Sequence, residues 1–310
     1  MRLLLSALLI SLAPDAVHAQ SPAYLYSWGS AGAAPGQFNF AHGIGVGPDG
    51  SVYVGDTANN RIQKFTAAGA FVTQWAVSFP SGVAVDASGN VFVSSDDYVR
   101  KFTSSGAFVT AWGGTGSGAG QFQFPLDVAV DANGNVFVAD WMNHRVQKFT
   151  GAGVFVTQWG TAGSGDGQFD EPTSLDVDDT GFVYVADGNL NRIQKFTNGG
   201  AFVQAWGSPG SGDGQFDFPS GIAVDPQSYV LVFDAGHHRV QSFRPDGTFV
   251  LAFGSVGSGP GQFATSAALD TDALGRTFVM DKDNSRVQVF AQLATPATRR
   301  SWGRIKDGWR

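Results

Sequence analysis

The chain has 310 residues, a formal net charge of −7, 15% charged residues, 42 glycines and no cysteine. These values exclude disulfide staples and thiolate zinc sites, and they argue against a basic surface for nucleic acid. Glu171 is the one Glu among 26 acidic residues, a bias toward turns and away from helices.

In chain order, residues 1–19 have the layout of an export signal. Arg2 supplies a positive start, Leu3 to Leu12 an apolar stretch, and Val17-His18-Ala19 a small-x-small cleavage site, so the mature chain is expected to begin at Gln20. The apolar run is too short to span a bilayer, and no transmembrane segment is expected. The simple signal and the Gly- and Ser-rich style point to a secreted or periplasmic bacterial protein.

Tyr24-Leu25-Tyr26-Ser27-Trp28-Gly29 reads as a lone strand, after which the chain repeats itself. Phe65, Phe102, Phe149, Phe196, Phe243 and Phe290 end equivalent segments at spacings of 37, 47, 47, 47 and 47. Trp28, Trp75, Trp112, Trp159, Trp206 and Phe253 give the same ruler. The short interval belongs to the second unit, whose entry from Trp75 to Phe79 is eight residues shorter than Trp112 to Phe124. Two further residues are missing between Val93 and Phe102.

Each unit carries four strand signals. In the third they are residues 127–130, 136–139, 146–149 and 154–159, short β-branched and aromatic runs separated by Gly-bearing turns. Four antiparallel strands repeated every 40–50 residues predict a blade of a β-propeller. One blade cannot cover both faces, so six must close a ring. The sixth unit has three strand signals, residues 269–271, 277–280 and 287–290, and lacks a fourth. The strand at Tyr24–Trp28 is expected to complete it and remove two open edges. Ser301-Trp302-Gly303 echoes Ser27-Trp28-Gly29 but lacks the apolar alternation before it. The fold class is therefore all-β: a six-bladed propeller over residues 20–290, closed by its N-terminal strand and followed by a tail at 291–310.

The repeat resembles the NHL family. Gly214-Gln215-Phe216-Asp217-Phe218-Pro219-Ser220-Gly221-Ile222-Ala223-Val224-Asp225 carries its opening motif, Val183-Tyr184-Val185-Ala186-Asp187 its second and Asn191-Arg192-Ile193-Gln194-Lys195-Phe196 its third. The likeness runs from about residue 24 to residue 290. It implies binding sites on the face made by the second-to-third-strand turns and the crossings between blades, here called the top. NHL propellers resemble the peptide-amidating lyases, and related six-bladed rings host metal-dependent lactonases. Animal NHL proteins bind RNA on a basic surface that this acidic chain lacks, so no nucleic-acid partner is expected.

Asp and Arg recur five residues apart as Asp56/Arg61, Asp140/Arg145, Asp187/Arg192, Asp234/Arg239 and Asp281/Arg286. Equal recurrence marks them as scaffold pairs closing the top turns rather than as an anion-binding ring. The glycine-rich crossings are spacers, because a strand and not a helix follows them. Positions that differ between blades are more informative. On the innermost strand, Asp176 and Asp270 replace the small residues of the other blades, as candidates for channel hydration or for a divalent cation, Ca or Zn. Asp127 and His42 enter the same rim. The top turns offer Tyr98, Trp141, Met142, His144, Asn189, His237 and His238 as ligand-binding candidates. With no His triad in view, the expected function is a non-catalytic platform for a protein, peptide or glycan, acting as a monomer. A metal-dependent lyase or lactonase at the channel mouth is the alternative. The tail carries Arg299, Arg300, Arg304, Lys306 and Arg310 against Asp307 and is strongly basic.

Overall fold

The structure, a computed structural model, describes residues 21–293; the expected signal, the Ser301-Trp302-Gly303 echo and the basic part of the tail lie outside the described residues. Six four-stranded antiparallel sheets form the ring. Blade 1 spans Ile44–Val46 to Phe71–Ala76, blade 2 Pro80–Val85 to Phe108–Gly113, and blade 3 Pro125–Val130 to Phe155–Trp159. Blade 4 spans Pro172–Val177 to Phe202–Trp206, and blade 5 Pro219–Val224 to Phe249–Phe253. Blade 6 takes Ser266–Thr271, Thr277–Asp281 and Arg286–Phe290 from the C-terminal end and Tyr24–Trp28 from the N-terminal end. That closing strand is antiparallel, with Tyr24 opposite Phe290 and Trp28 opposite Val287. No helix among the described residues is long and apolar enough to cross a membrane.

The strands reach further toward the top than the sequence signals do. In blade 3 the inner strand begins at Pro125 and pairs across a bulge with Asp140, and Asp140 pairs with Arg145 as the last rung. Polar side chains, not apolar alternation, hold that extension.

The core lies between blades rather than within them. Ala129, Phe137 and Ala139 of blade 3, for example, share one buried cluster with Leu175, Val183 and Val185 of blade 4. At each seam the outer-strand aromatic leans on a Phe of the next blade. Ring centroids are 6.0 Å apart for Trp28–Phe65, 5.8 Å for Trp112–Phe149 and 4.9 Å for Phe253–Phe290. Such pairs add about 0.5–1.5 kcal/mol each beyond the area they bury. The hairpin facing each Trp needs glycine: at Gly153, φ +85°, a Cβ would lie 2.6 Å from the Trp112 indole.

At the top of five blades sits a buried polar cluster. Asp140 is fully shielded. Its Oδ2 accepts from Arg145 Nε at 2.8 Å and Gln147 Nε2 at 3.1 Å, and its Oδ1 accepts the Gln123 amide at 2.8 Å. The rest of the guanidinium donates to the Ser117, Gly118 and Gln121 carbonyls of the crossing. Blades 1, 4, 5 and 6 repeat the ion pair. These arginines are spent on the scaffold. Blade 2 has Ser95 in place of the Asp, and its Arg100–Asp96 pair is partly exposed at 3.4 Å.

Removing one partner of a buried pair strands the other charge. Arg145→Met is expected to lower unfolding free energy by about 3–5 kcal/mol. Arg100→Met should cost about 1 kcal/mol or less. Urea denaturation of the two variants checks the contrast.

Candidate binding face and central channel

The top face is built from the second-to-third-strand turns and the ends of the crossings. In blades 1, 3 and 5 the turn is a single 3-10 turn, Thr57–Asn59, Trp141–Asn143 and Ala235–His237, ended by a left-handed residue. Asn143 fills its turn by donating to both oxygens of Asp140. His237 stands in the equivalent place, with Nδ1 3.0–3.1 Å from both Asp234 oxygens. His238 is the left-handed residue that follows, φ +54°, and its buried Nδ1 has no partner. The two imidazoles therefore sit in different surroundings and share no ligand. His144 Nδ1 lies 2.7 Å from the Asp170 carbonyl and ties blade 3 to blade 4. Trp141 is half-buried and meets Phe124 edge-on at 6.2 Å. Met142, Tyr98 and Asn189 are exposed, with Arg100 5.3 Å above the Tyr98 ring.

Four residues absent from the sequence-based candidates dominate this face. Phe40, Phe79, Phe124 and Phe218 occupy one repeat position at the end of the crossing, where the chain enters the innermost strand. Their φ values are +53°, +41°, +54° and +57°. Their side chains are 53%, 60%, 58% and 38% exposed. A left-handed backbone costs a residue with a Cβ about 1–2 kcal/mol, and an exposed ring returns little of it. Neighbours hold the conformation. The Phe79, Phe124 and Phe218 amides donate to Asn60, Asp97 and Asn191 of the preceding blade at 3.0, 3.1 and 2.7 Å. Lys282 lies 4.3 Å from the Phe40 ring. Glu171 holds the same repeat position in blade 4 with ordinary φ. The sequence signal was a second aromatic two residues after the Gly-Gln-Phe triplet, as in Gln121-Phe122-Gln123-Phe124.

The inner strands enclose a channel cavity of about 420 Å3 that continues to the first-to-second-strand turns at Asp178, Asp225 and Asp272. It thus opens at the end of the ring opposite the top. Asp127, Asp176 and Asp270 line it, and each spans a seam. Asp127 Oδ2 accepts from Ser174 Oγ at 2.6 Å and the Leu175 amide at 3.1 Å. Asp176 Oδ2 accepts the Val224 amide, and Asp270 Oδ2 the Val46 amide, each at 2.7 Å. Burial pushes the Asp127 carboxyl up to about 6 and Asp270 up to about 7. Burial and the neighbouring Asp270 raise Asp176 well above the carboxylate range. His42, outside the cavity lining, is held down near 4 by burial and then by Lys282. Among the described residues no three His, Asp or Glu side chains converge so as to hold a metal ion. Asp176 and Asp270 alone fall short of the six to eight oxygens that Ca2+ takes and offer none of the imidazole that Zn2+ favours.

A carboxyl with a raised pKa in the fold binds its proton more readily folded than unfolded. It strengthens folding as pH falls toward its unfolded pKa and weakens folding as pH rises through its folded one. His42 has the opposite sign and opposes this below the ordinary imidazole value of 6.5. Melting temperature is therefore expected to rise from mildly alkaline pH down to about 6.5. The Asp176→Asn/Asp270→Asn double variant should flatten that rise. Calorimetry across the range checks it.

The NHL repeat family model matches residues 38–65, 122–149 and 169–196. No curated protein matches the chain by sequence. Among solved structures, a structural genomics protein of unknown function from Bacteroides thetaiotaomicron is similar at 20% identity and TM-score 0.68, over 85% of this chain and 74% of that one. A gluconolactonase from Xanthomonas campestris is similar at 18% identity and TM-score 0.62, over 82% and 86%. A catalytically inactive virginiamycin B lyase from Staphylococcus aureus with quinupristin gives 12% and 0.60, over 88% and 99%. At these identities the likeness is one of fold. Three matched NHL repeats lie within the six four-stranded blades, and the chain is a six-bladed β-propeller carrying NHL repeats.

Proposed function

We propose that this chain is an exported, non-catalytic recognition propeller that holds a protein, peptide or glycan on its top face. The observation that carries this reading is the set of four exposed phenylalanines in left-handed backbone, Phe40, Phe79, Phe124 and Phe218. Local strain combined with apolar exposure is a feature of contact surfaces. Trp141, Met142 and Tyr98 extend the surface with blade-specific shapes. The signal-like residues 1–19 support the exported setting.

The rival reading, a lyase or lactonase with a metal at the channel mouth, draws on the fold likeness to a gluconolactonase and a virginiamycin B lyase. The described residues do not supply it with a ligand set.

The test is a Phe40→Gly/Phe79→Gly/Phe124→Gly/Phe218→Gly variant compared with the parent chain on immobilised glycan and peptide arrays. Glycine occupies positive φ without strain, so folding stability should stay level or rise by about 1 kcal/mol per site at most. Binding of any array component captured by the parent should fall at least tenfold. A component held equally by both proteins would place recognition elsewhere and refute the reading.

A further inference from the structure

Five of the six blades are entered by a glycine-rich crossing that fills its own seam. Phe38, Phe122, Phe169, Phe216 and Phe263 end these crossings, and all are fully buried. Each ring meets the third-strand Phe of its blade, at 5.7 Å for Phe38–Phe65 and 5.6 Å for Phe122–Phe149. A buried Gln two residues before that third-strand Phe clamps the crossing. Gln147 Nε2 donates to the Gln121 carbonyl at 2.7 Å, and its Oε1 accepts the Gly120 amide at 2.9 Å. Gln63, Gln194, Gln241 and Gln288 do the same in their blades.

Blade 2 keeps none of this. Its crossing from Trp75 to Phe79 is eight residues shorter than that of blade 3. Val77 stands where the others have the buried Phe. Arg100 stands where they have the Gln, opposite Val93 as Gln147 is opposite Val138. The seam between blades 1 and 2 is left with a groove of about 620 Å3, within the roughly 300–1,000 Å3 range of ligand pockets. Phe79, Phe102 and Phe108 line it, and Arg100 is the one charged residue in the lining. Phe108 is 62% exposed, against 39% for Phe71 and 36% for Phe155 at the same place in blades 1 and 3. Arg100 Nη1 donates to the carbonyl of Ser95 at 2.8 Å and to its hydroxyl, and Nη2 lies 3.4 Å from Asp96 Oδ2. The Nε–H has no acceptor among the described residues.

The exchange of Gln for Arg changes what would complete the seam. A Gln side chain matches a backbone carbonyl and an amide together, whereas a guanidinium only donates and carries charge. Its complement is a carboxylate. In the filled blades the accepting carbonyl belongs to the residue immediately before the buried Phe, as Gln121 precedes Phe122. An occupant from outside that reproduces this spacing carries an acidic residue next to an aromatic one.

We propose that the groove between blades 1 and 2 is a docking site for an acidic peptide segment of a partner protein, in which an Asp or Glu pairs with Arg100 and the adjoining aromatic side chain packs among Phe79, Phe102 and Phe108. Arginine and aromatic side chains are the types that carry most of the binding energy at protein interfaces. The groove shares Phe79 with the top face, but it stands on the shortened crossing and on Arg100 rather than on strained backbone, and so is independent of the recognition reading above.

The probe is the peptide acetyl-Ser-Gly-Asp-Phe-Gly-Ser-amide, titrated calorimetrically into the full chain beside two controls, one with Asn for the Asp and one with Ala for the Phe. The parent chain is expected to bind the Asp-Phe peptide about tenfold more tightly than either control. Arg100→Gln should weaken that binding about tenfold and make the Asp and Asn peptides indistinguishable. Phe108→Ser should weaken both peptides while keeping the preference for Asp. Both side chains reach the surface, and circular dichroism checks that the variants stay folded. Phe40→Gly/Phe124→Gly/Phe218→Gly leaves the groove intact and should not change the affinity. Loss of binding in that triple variant with no effect of Arg100→Gln would move the peptide to the top face and overturn the proposal. Absence of binding at about 1 mM peptide, or equal affinity for the Asp and Asn peptides, would also overturn it.

Discussion

The buried Asp–Arg–Gln cluster at the top of five blades is the constraint on which the top face depends. One carboxylate, shielded from water, orients an arginine fork whose remaining donors close on crossing-loop carbonyls. Its other oxygen takes the amide of Asn39, Gln123 or Asp217, the residue immediately before Phe40, Phe124 or Phe218. The next amide along, at Phe124 and Phe218, is held by the preceding blade. A crossing pinned on both sides can keep a phenylalanine in a backbone conformation that an unpinned loop would leave. Blade 2 lacks the Asp, and there the Asn60 side chain holds Phe79.

The two ends of the ring follow opposite chemistry. The top presents rigid aromatic surface carried by strained backbone. The channel is acidic, and its lining carboxylates each accept an amide across a seam, so the same groups that join blades also repel one another. Burial raises the pKa values of all three, with mutual charge adding to it at Asp176 and Asp270, and the fold tolerates this because each carboxylate retains backbone donors.

The ring was legible because its determinants are local and repeated: the 47-residue ruler, the β-branched runs and the unpaired first strand. The scaffold role of the Asp/Arg pairs was legible from recurrence alone. The candidate site was legible only in part. Trp141, Met142, Tyr98 and Asn189 stand out as differences between blades and lie on the top face. His144 and His237 stand out equally in sequence, yet the fold uses them as inter-blade and turn fasteners, because an imidazole nitrogen substitutes for an Asn amide. Phe40, Phe79, Phe124 and Phe218 were hidden for a different reason. Their importance lies in φ and exposure, which tertiary contacts impose and residue identity does not announce. The opening of the channel toward the lower turns depends likewise on how inner strands approach one another, as where a Cβ at Gly43 would collide with the Ser81 carbonyl.

The most direct measurement is the backbone geometry of the four phenylalanines in solution, by NMR of protein labelled with 15N-phenylalanine, with and without Arg145→Met. The account predicts strong intraresidue amide–Hα contacts, the mark of positive φ, at Phe40, Phe79, Phe124 and Phe218. Arg145→Met should abolish that contact at Phe124 while sparing Phe79. Negative φ at these positions in the parent protein, or a Phe124 unaffected by loss of the arginine, would contradict the claim that the buried ion pairs shape the top face.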